Sequence, residues 1–100
     1  MFKQSFVDAI NDTNLVELTF NSKNQGVLER KCIPLDYGPM AKSSSGEMKY
    51  HFHNTDSDHP MPISEEQIIK MQILEEKFDP ETIVHWVPSW NIERDWGTVS

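Results

Sequence analysis

Apolar and polar residues change period along this chain, and the changes mark its elements. Phe2, Phe6, Ala9 and Ile10 recur at i, i+4, i+7 and i+8 within residues 2–11, the spacing of one helical face. Asn11, Asp12, Thr13 and Asn14 form a stop cluster behind them, so a short N-terminal helix is predicted. From Leu15 to Phe20 the period falls to two. Val16, Leu18 and Phe20 alternate with Glu17 and Thr19, as in a strand with one buried and one wet face. The turn NSKNQG follows, with Gly26 able to take a positive φ, and Val27 to Ile33 resumes as the second arm of a hairpin. Pro34 has no N–H to donate and is predicted to end regular pairing.

Beyond LDYGP the segment MAKSSSGEM reads as a polar, Ser-rich hairpin tip. Met48, Tyr50 and Phe52 then share one face of a strand, with Lys49, His51 and His53 on the other, and NTDSDHP turns the chain over. MPISEEQIIKMQIL holds a short strand, a turn at Ser64, Glu65 and Glu66, and a last strand in which Ile69, Met71 and Ile73 alternate with Lys70 and Gln72. Five short strands bury little surface unless their sheet curls, and a closed or partly open barrel also removes exposed edges. The expected architecture is therefore mainly β: a small antiparallel barrel with an N-terminal helix over residues 1–80, and a Trp-rich extension over 81–100 packing on it as part of one domain. Its predicted interior is Val16, Leu18, Phe20, Tyr50, Phe52, Ile69, Met71 and Ile73.

One hundred residues is the size of one domain, and 37% hydrophobic with 10% aromatic residues is the composition of a folded one. Nine Lys and Arg against 16 Asp and Glu leave a formal charge of -7, which repels a phosphate backbone, so duplex nucleic acid is not an expected partner. The opening MFKQSFVDAI is too short and polar for a signal peptide, and no apolar run approaches bilayer length. No membrane association and a cytoplasmic location are therefore expected. Cys32 is the one cysteine; it has no internal disulfide partner and reads as a small buried hydrophobe.

The order of these pieces resembles the WYL domain, a Sm-like or SH3-like small β-barrel of bacterial transcriptional regulators. The likeness covers roughly residues 5–80: the short helix, the LVELTF strand, a P-x-x-Y-G turn at Pro34 to Gly38, the aromatic strand, and a closing E-x-F-x-P at Glu76 to Pro80. Lys49-Tyr50-His51 stands where the family has its Trp-Tyr-Leu triplet, and Met61 to Ile68 carries no Arg where the family has a ligand-facing one. The resemblance implies a ligand-sensing barrel. The family's nucleotide-like ligands call for the bidentate Arg fork that this strand lacks. A complete DNA-binding regulator is not expected, because the helix-turn-helix half is not in the sequence.

Candidate ligand contacts are Tyr37, Tyr50, His51 and His53, in a cleft expected between the two tyrosines and the Trp-rich tail. His51 and His53, two apart on a strand, can share a Zn, Ni or Cu ion with His59, Asp56 or Asp58 as a third ligand. A solvated polar face is the simpler reading, and no metal or other cofactor is expected. Trp86, Trp90 and Trp96, with Arg94, are a large apolar area that something must cover. Either the tail folds back on its own barrel, or it packs on another chain, since Trp and Arg dominate interface hot spots. Nucleophiles such as Cys32 and Ser43 to Ser45 have no base that the sequence can place, and no glycine-rich loop is present, so no enzyme is expected. The expected function is a non-catalytic binding or regulatory module for a small ligand or protein. The alternative is a self-associating structural protein, such as a homodimer, using the tail.

Overall fold

The computed structural model describes residues 2–40, 46–55 and 59–100. The Ser-rich tip at Ser43 to Ser45 and the turn residues Asp56 and Asp58 lie outside them. Helix α1 spans Lys3–Asp12 and buries Phe6, Ala9 and Ile10. It stops at Thr13, which takes the left-handed conformation at φ 56° and returns its N–H to the last turn's carbonyls. Five strands follow: β1 (Asn14–Ser22), β2 (Gly26–Pro39), β3 (Met48–Asn54), β4 (Pro60–Ile63) and β5 (Ile68–Lys77), with a 3-10 turn at Glu65–Gln67 joining the last two. They form a single antiparallel sheet in the order β4-β3-β2-β1-β5. The protein is thus mainly β with a short N-terminal helix, and its sheet is open: β4 and β5 do not pair among the described residues.

β2 makes this sheet bend. Its first half, Gly26 to Cys32, pairs with β1, and its second half, Cys32 to Pro39, pairs with β3, so the two neighbours share only Cys32. Pro34 does not end pairing as its missing N–H predicted. It lies opposite Phe52, fully buried, beside a bulge in which Leu35 is the extra residue between the pairs Pro34–Phe52 and Asp36–His51. Burial along β2 stops alternating here: all five residues from Cys32 to Asp36 are buried. Two layers cover the sheet at this point. On one face Phe6 of α1 meets Tyr50 and Phe52 edge-on at 5.0 and 5.2 Å. On the other lies the C-terminal segment.

Val16, Leu18, Phe20, Tyr50 and Phe52 are buried, and Met71 is half-buried. Ile69 and Ile73 are not inside: they are 55% and 38% exposed. Two features of β5 account for this: it slips against β1 twice, and it is an edge strand. Phe20 pairs with Ile68 while Thr19 pairs with Lys70, and Asn14 pairs with Lys77 while Val16 pairs with Ile73. The slip at Thr19 and Phe20 leaves Ile69 as an extra residue outside the ladder, and Ile73, opposite buried Val16, stays part-open on the edge strand, while Ile68, Met71 and Leu74 are the more buried residues of β5.

After β5 the chain forms a four-residue helix, α2 (Pro80–Ile83). Asp79 caps it by accepting the Glu81 N–H at 3.1 Å, and Pro80 supplies a preset φ in its first turn. The rest of the segment is largely irregular, ending in a 3-10 turn at Gly97–Val99. Trp96 is 4% exposed; its indole N–H donates to the Ile10 carbonyl at 2.8 Å and its ring meets Phe78 at 5.6 Å. The segment thus closes over the end of α1 within its own chain.

Candidate functional site

Asp36 is the residue that fixes the segment to the sheet. Its carboxylate accepts the backbone N–H groups of Asn91 and Ile92, at 3.0 and 2.9 Å, and the Arg94 guanidinium at 3.1 Å. Arg94 also donates to the Leu35 carbonyl, a backbone group on the bulged residue, and to the Ile92 carbonyl at 3.0 Å. The guanidinium lies against two indoles, 4.0 Å from the Trp90 ring centre and 4.4 Å from that of Trp96. Burial pulls its pKa down to about 10 while Asp36 pulls the other way, so it keeps its charge at neutral pH. Gly38 is needed alongside: a Cβ there would sit 2.2 Å from Asn91 Nδ2.

Docked this way, the segment and the sheet enclose an apolar groove of about 540 Å³. One wall comes from the segment, with Trp86, Ser89, Trp90 and Asn91; the other comes from the sheet, with Pro39, His51, Pro60 and Pro62. Trp86 and Trp90 meet edge to face, 6.2 Å apart and 67° between planes. His51 is oriented by its Nε2–H, which donates to the Gly38 carbonyl at 2.8 Å. Asp36 also lines the groove, its charge already met by Arg94.

Neither Tyr37 nor Tyr50, expected to form a cleft with the tail, lines this groove. Register pairs Tyr37 with Tyr50 and Asp36 with His51, so the pleat turns the tyrosines away from the groove. Tyr50 is a core residue, packed 4.8 Å from Tyr37 and donating its hydroxyl to Glu65 at 2.9 Å; burial, and then Glu65, hold its phenol above the ordinary range. Tyr37 is half-buried under the Lys3 ammonium, 5.0 Å from its ring centre. Of the four ligand candidates, His51 lines the groove, and His53 is half-buried opposite Ile33. His59 is exposed, and among the described residues no three His, Cys, Asp or Glu side chains come together as a metal site.

The four interface candidates divide as well. Arg94 and Trp96 are buried within the chain, Trp90 is half-buried with its indole N–H on the Val99 carbonyl at 3.0 Å, and Trp86 remains 47% exposed. Cys32 is buried, and that burial, with Glu17, pushes its thiol up to about 12, leaving no thiolate nucleophile at neutral pH. Asp36, Gly38 and Asn91 were missed in the sequence. The signal for the first was present: one acid inside the apolar run CIPLDY needs a buried cation, and the Trp-rich tail holds a single Arg. No helix among the described residues is long and apolar enough to cross a membrane. Set beside known proteins, the chain matches no protein-family model, no curated protein and no solved structure.

Proposed function

We propose that this chain is a non-catalytic binding module whose small ligand seats in the groove between the sheet and the C-terminal segment. The observation that carries this is Trp86: of three tryptophans it alone stays largely open to solvent, on the wall of an apolar groove of ligand size. The strand order, the helix and the 3-10 turn between β4 and β5 support reading the sheet as a partly open small barrel in the WYL manner, acting as a sensor. Its acidic charge favours a role away from duplex nucleic acid, and the role proposed is a cytoplasmic, regulatory one.

A mixed library of neutral, charged, aromatic and aliphatic fragments, screened by two-dimensional amide and indole NMR, tests the reading. Hits should displace the resonances of His51, Trp86 and Asn91 together, and Trp86→Ala should abolish them with little change in melting temperature. Hits that cluster elsewhere, or none at all, would refute it.

A second reading, self-association through the tail, draws on Val87, which is 93% exposed beside Trp86. Sedimentation separates the two, because a dimer has twice the 11.6 kDa mass of the chain.

A further inference from the structure

We infer that the groove selects an uncharged, planar heteroaromatic ligand carrying a ring N–H, and that it rejects anions. The inference rests on the proposed groove and adds the chemistry of its occupant. Three features of the walls support it.

Charge comes first. The described residues lining the groove include no Lys or Arg, and their one carboxylate, Asp36, is saturated by Arg94 and the Asn91 and Ile92 amides. Arg94 is not among the described residues lining the groove, and each of its three nitrogens already donates to Asp36, Leu35 or Ile92, so its fork is turned to its own chain and not to a phosphate or carboxylate in the groove. An anion entering here would shed water without gaining a counter-ion, against a chain of net charge -7.

Hydrogen-bonding polarity comes second. The bond from His51 Nε2–H to the Gly38 carbonyl fixes the imidazole on the groove wall. Asn91 gives one of its two Nδ2 protons to Asp36 at 3.3 Å, and its side-chain Oδ1 is an acceptor on the groove wall. A ligand's ring N–H is met by that oxygen.

Shape comes third. With 67° between the Trp86 and Trp90 planes, a flat ring that stacks on one indole meets the other edge to face, the geometry aromatic pairs favour. Saturated rings or chains would fill the groove without using that corner.

Four probes of similar size decide the matter: indole, 1-methylindole, indole-3-acetate and cyclohexanol, each titrated against the intact chain by the same NMR method. Indole should shift the Trp86 and Trp90 indole resonances saturably. 1-Methylindole, which lacks the donor, and indole-3-acetate, which adds the charge, should each bind about tenfold more weakly, corresponding to one lost hydrogen bond or one unpaired charge. Cyclohexanol should be weaker still.

Equal or tighter binding of indole-3-acetate would overturn the exclusion of anions, and equal binding of 1-methylindole would overturn the donor requirement. Either result would leave the groove itself standing, since the same resonances report it. If none of the four moves those resonances while other library fragments do, only the ligand class fails. If no fragment does, the groove reading fails with it.

Discussion

Asp36 of β2 and Arg94 of the C-terminal segment, 58 residues apart, form a buried ion pair at 3.1 Å in which the Arg side chain is 1% exposed and the Asp side chain 11%. Breaking such a pair strands a charge away from water, which costs about 3–5 kcal/mol, whereas removing both partners costs much less. Asp36→Asn and Arg94→Met should therefore each lower the melting temperature by well over 10 °C, at about 4–8 °C per kcal/mol for a domain of this size. The double variant should melt well above the sum of the two losses. Strict additivity of the three melts would deny the coupling.

Gly38 tests the close approach of the segment. Gly38→Ala places a methyl 2.2 Å from Asn91 Nδ2 and 3.0 Å from its Cγ, so Asn91 must leave Asp36. A loss of about 1–3 kcal/mol in urea unfolding is expected, and Asn91→Ala in the same chain should restore part of it. A neutral Gly38→Ala would show that the segment is docked differently.

The tryptophans should separate stability from binding. Trp96→Ala removes a buried indole and its bond to Ile10 and should cost about 3–5 kcal/mol. Trp86→Ala, at a side chain 47% exposed, should stay within about 0.5 kcal/mol. Truncation after Pro80 should destabilise at least as much as Trp96→Ala. Thermal melts of the three proteins decide this, and equal melts for Trp86→Ala and Trp96→Ala would contradict it.

Cys32 sets an alkaline limit. Its thiol is raised to about 12 in the fold, against about 8.5 in an unfolded chain. Between those values the unfolded state releases a proton that the folded state keeps, so stability holds below about pH 8.5 and falls as pH climbs towards 12. The upward shift of Tyr50 acts in the same direction. Urea midpoints at pH 7, 9 and 10.5 should decline, and Cys32→Val should flatten the first part of that decline. A thiol reagent should label the native protein only as fast as it opens.

Duplex DNA of random sequence at about 0.15 M salt should bind no tighter than the non-specific range, roughly 10⁻⁴ to 10⁻⁶ M. Fluorescence anisotropy gives the answer, and a nanomolar complex would contradict the electrostatic argument from a charge of -7.

Much of the fold could be read locally. The stripe Phe2, Phe6, Ala9 and Ile10 anticipated α1, and the alternations of Val16, Leu18 and Phe20 and of Tyr50 and Phe52 marked the inward faces of β1 and β3. Each is a short-range period imposed by the backbone itself, 3.6 residues in a helix and two in a strand, so neighbouring residues suffice to reveal it. Helix α2 is equally local: Asp79 caps it and Pro80 opens its first turn, although the same Asp-Pro pair also reads as the end of a strand.

Composition and period together determined a mainly β chain with a helix at its start, and named Trp86, Trp90, Trp96 and Arg94 as the residues needing a partner. Only the tertiary structure decided where they go. A period of two says which residues share a face but not which face is covered, so it could not show that the segment overlies the face of β2 and β3 that carries Asp36 and His51, or that Tyr37 and Tyr50 face away from the groove. Nor could it foresee the slip of β5 that leaves Ile69 out of the ladder, or the edge position that leaves Ile73 part-open, since both are settled by the neighbouring strands. The groove depends on a charge pair spanning 58 residues, and no local pattern encodes the meeting of two residues so far apart.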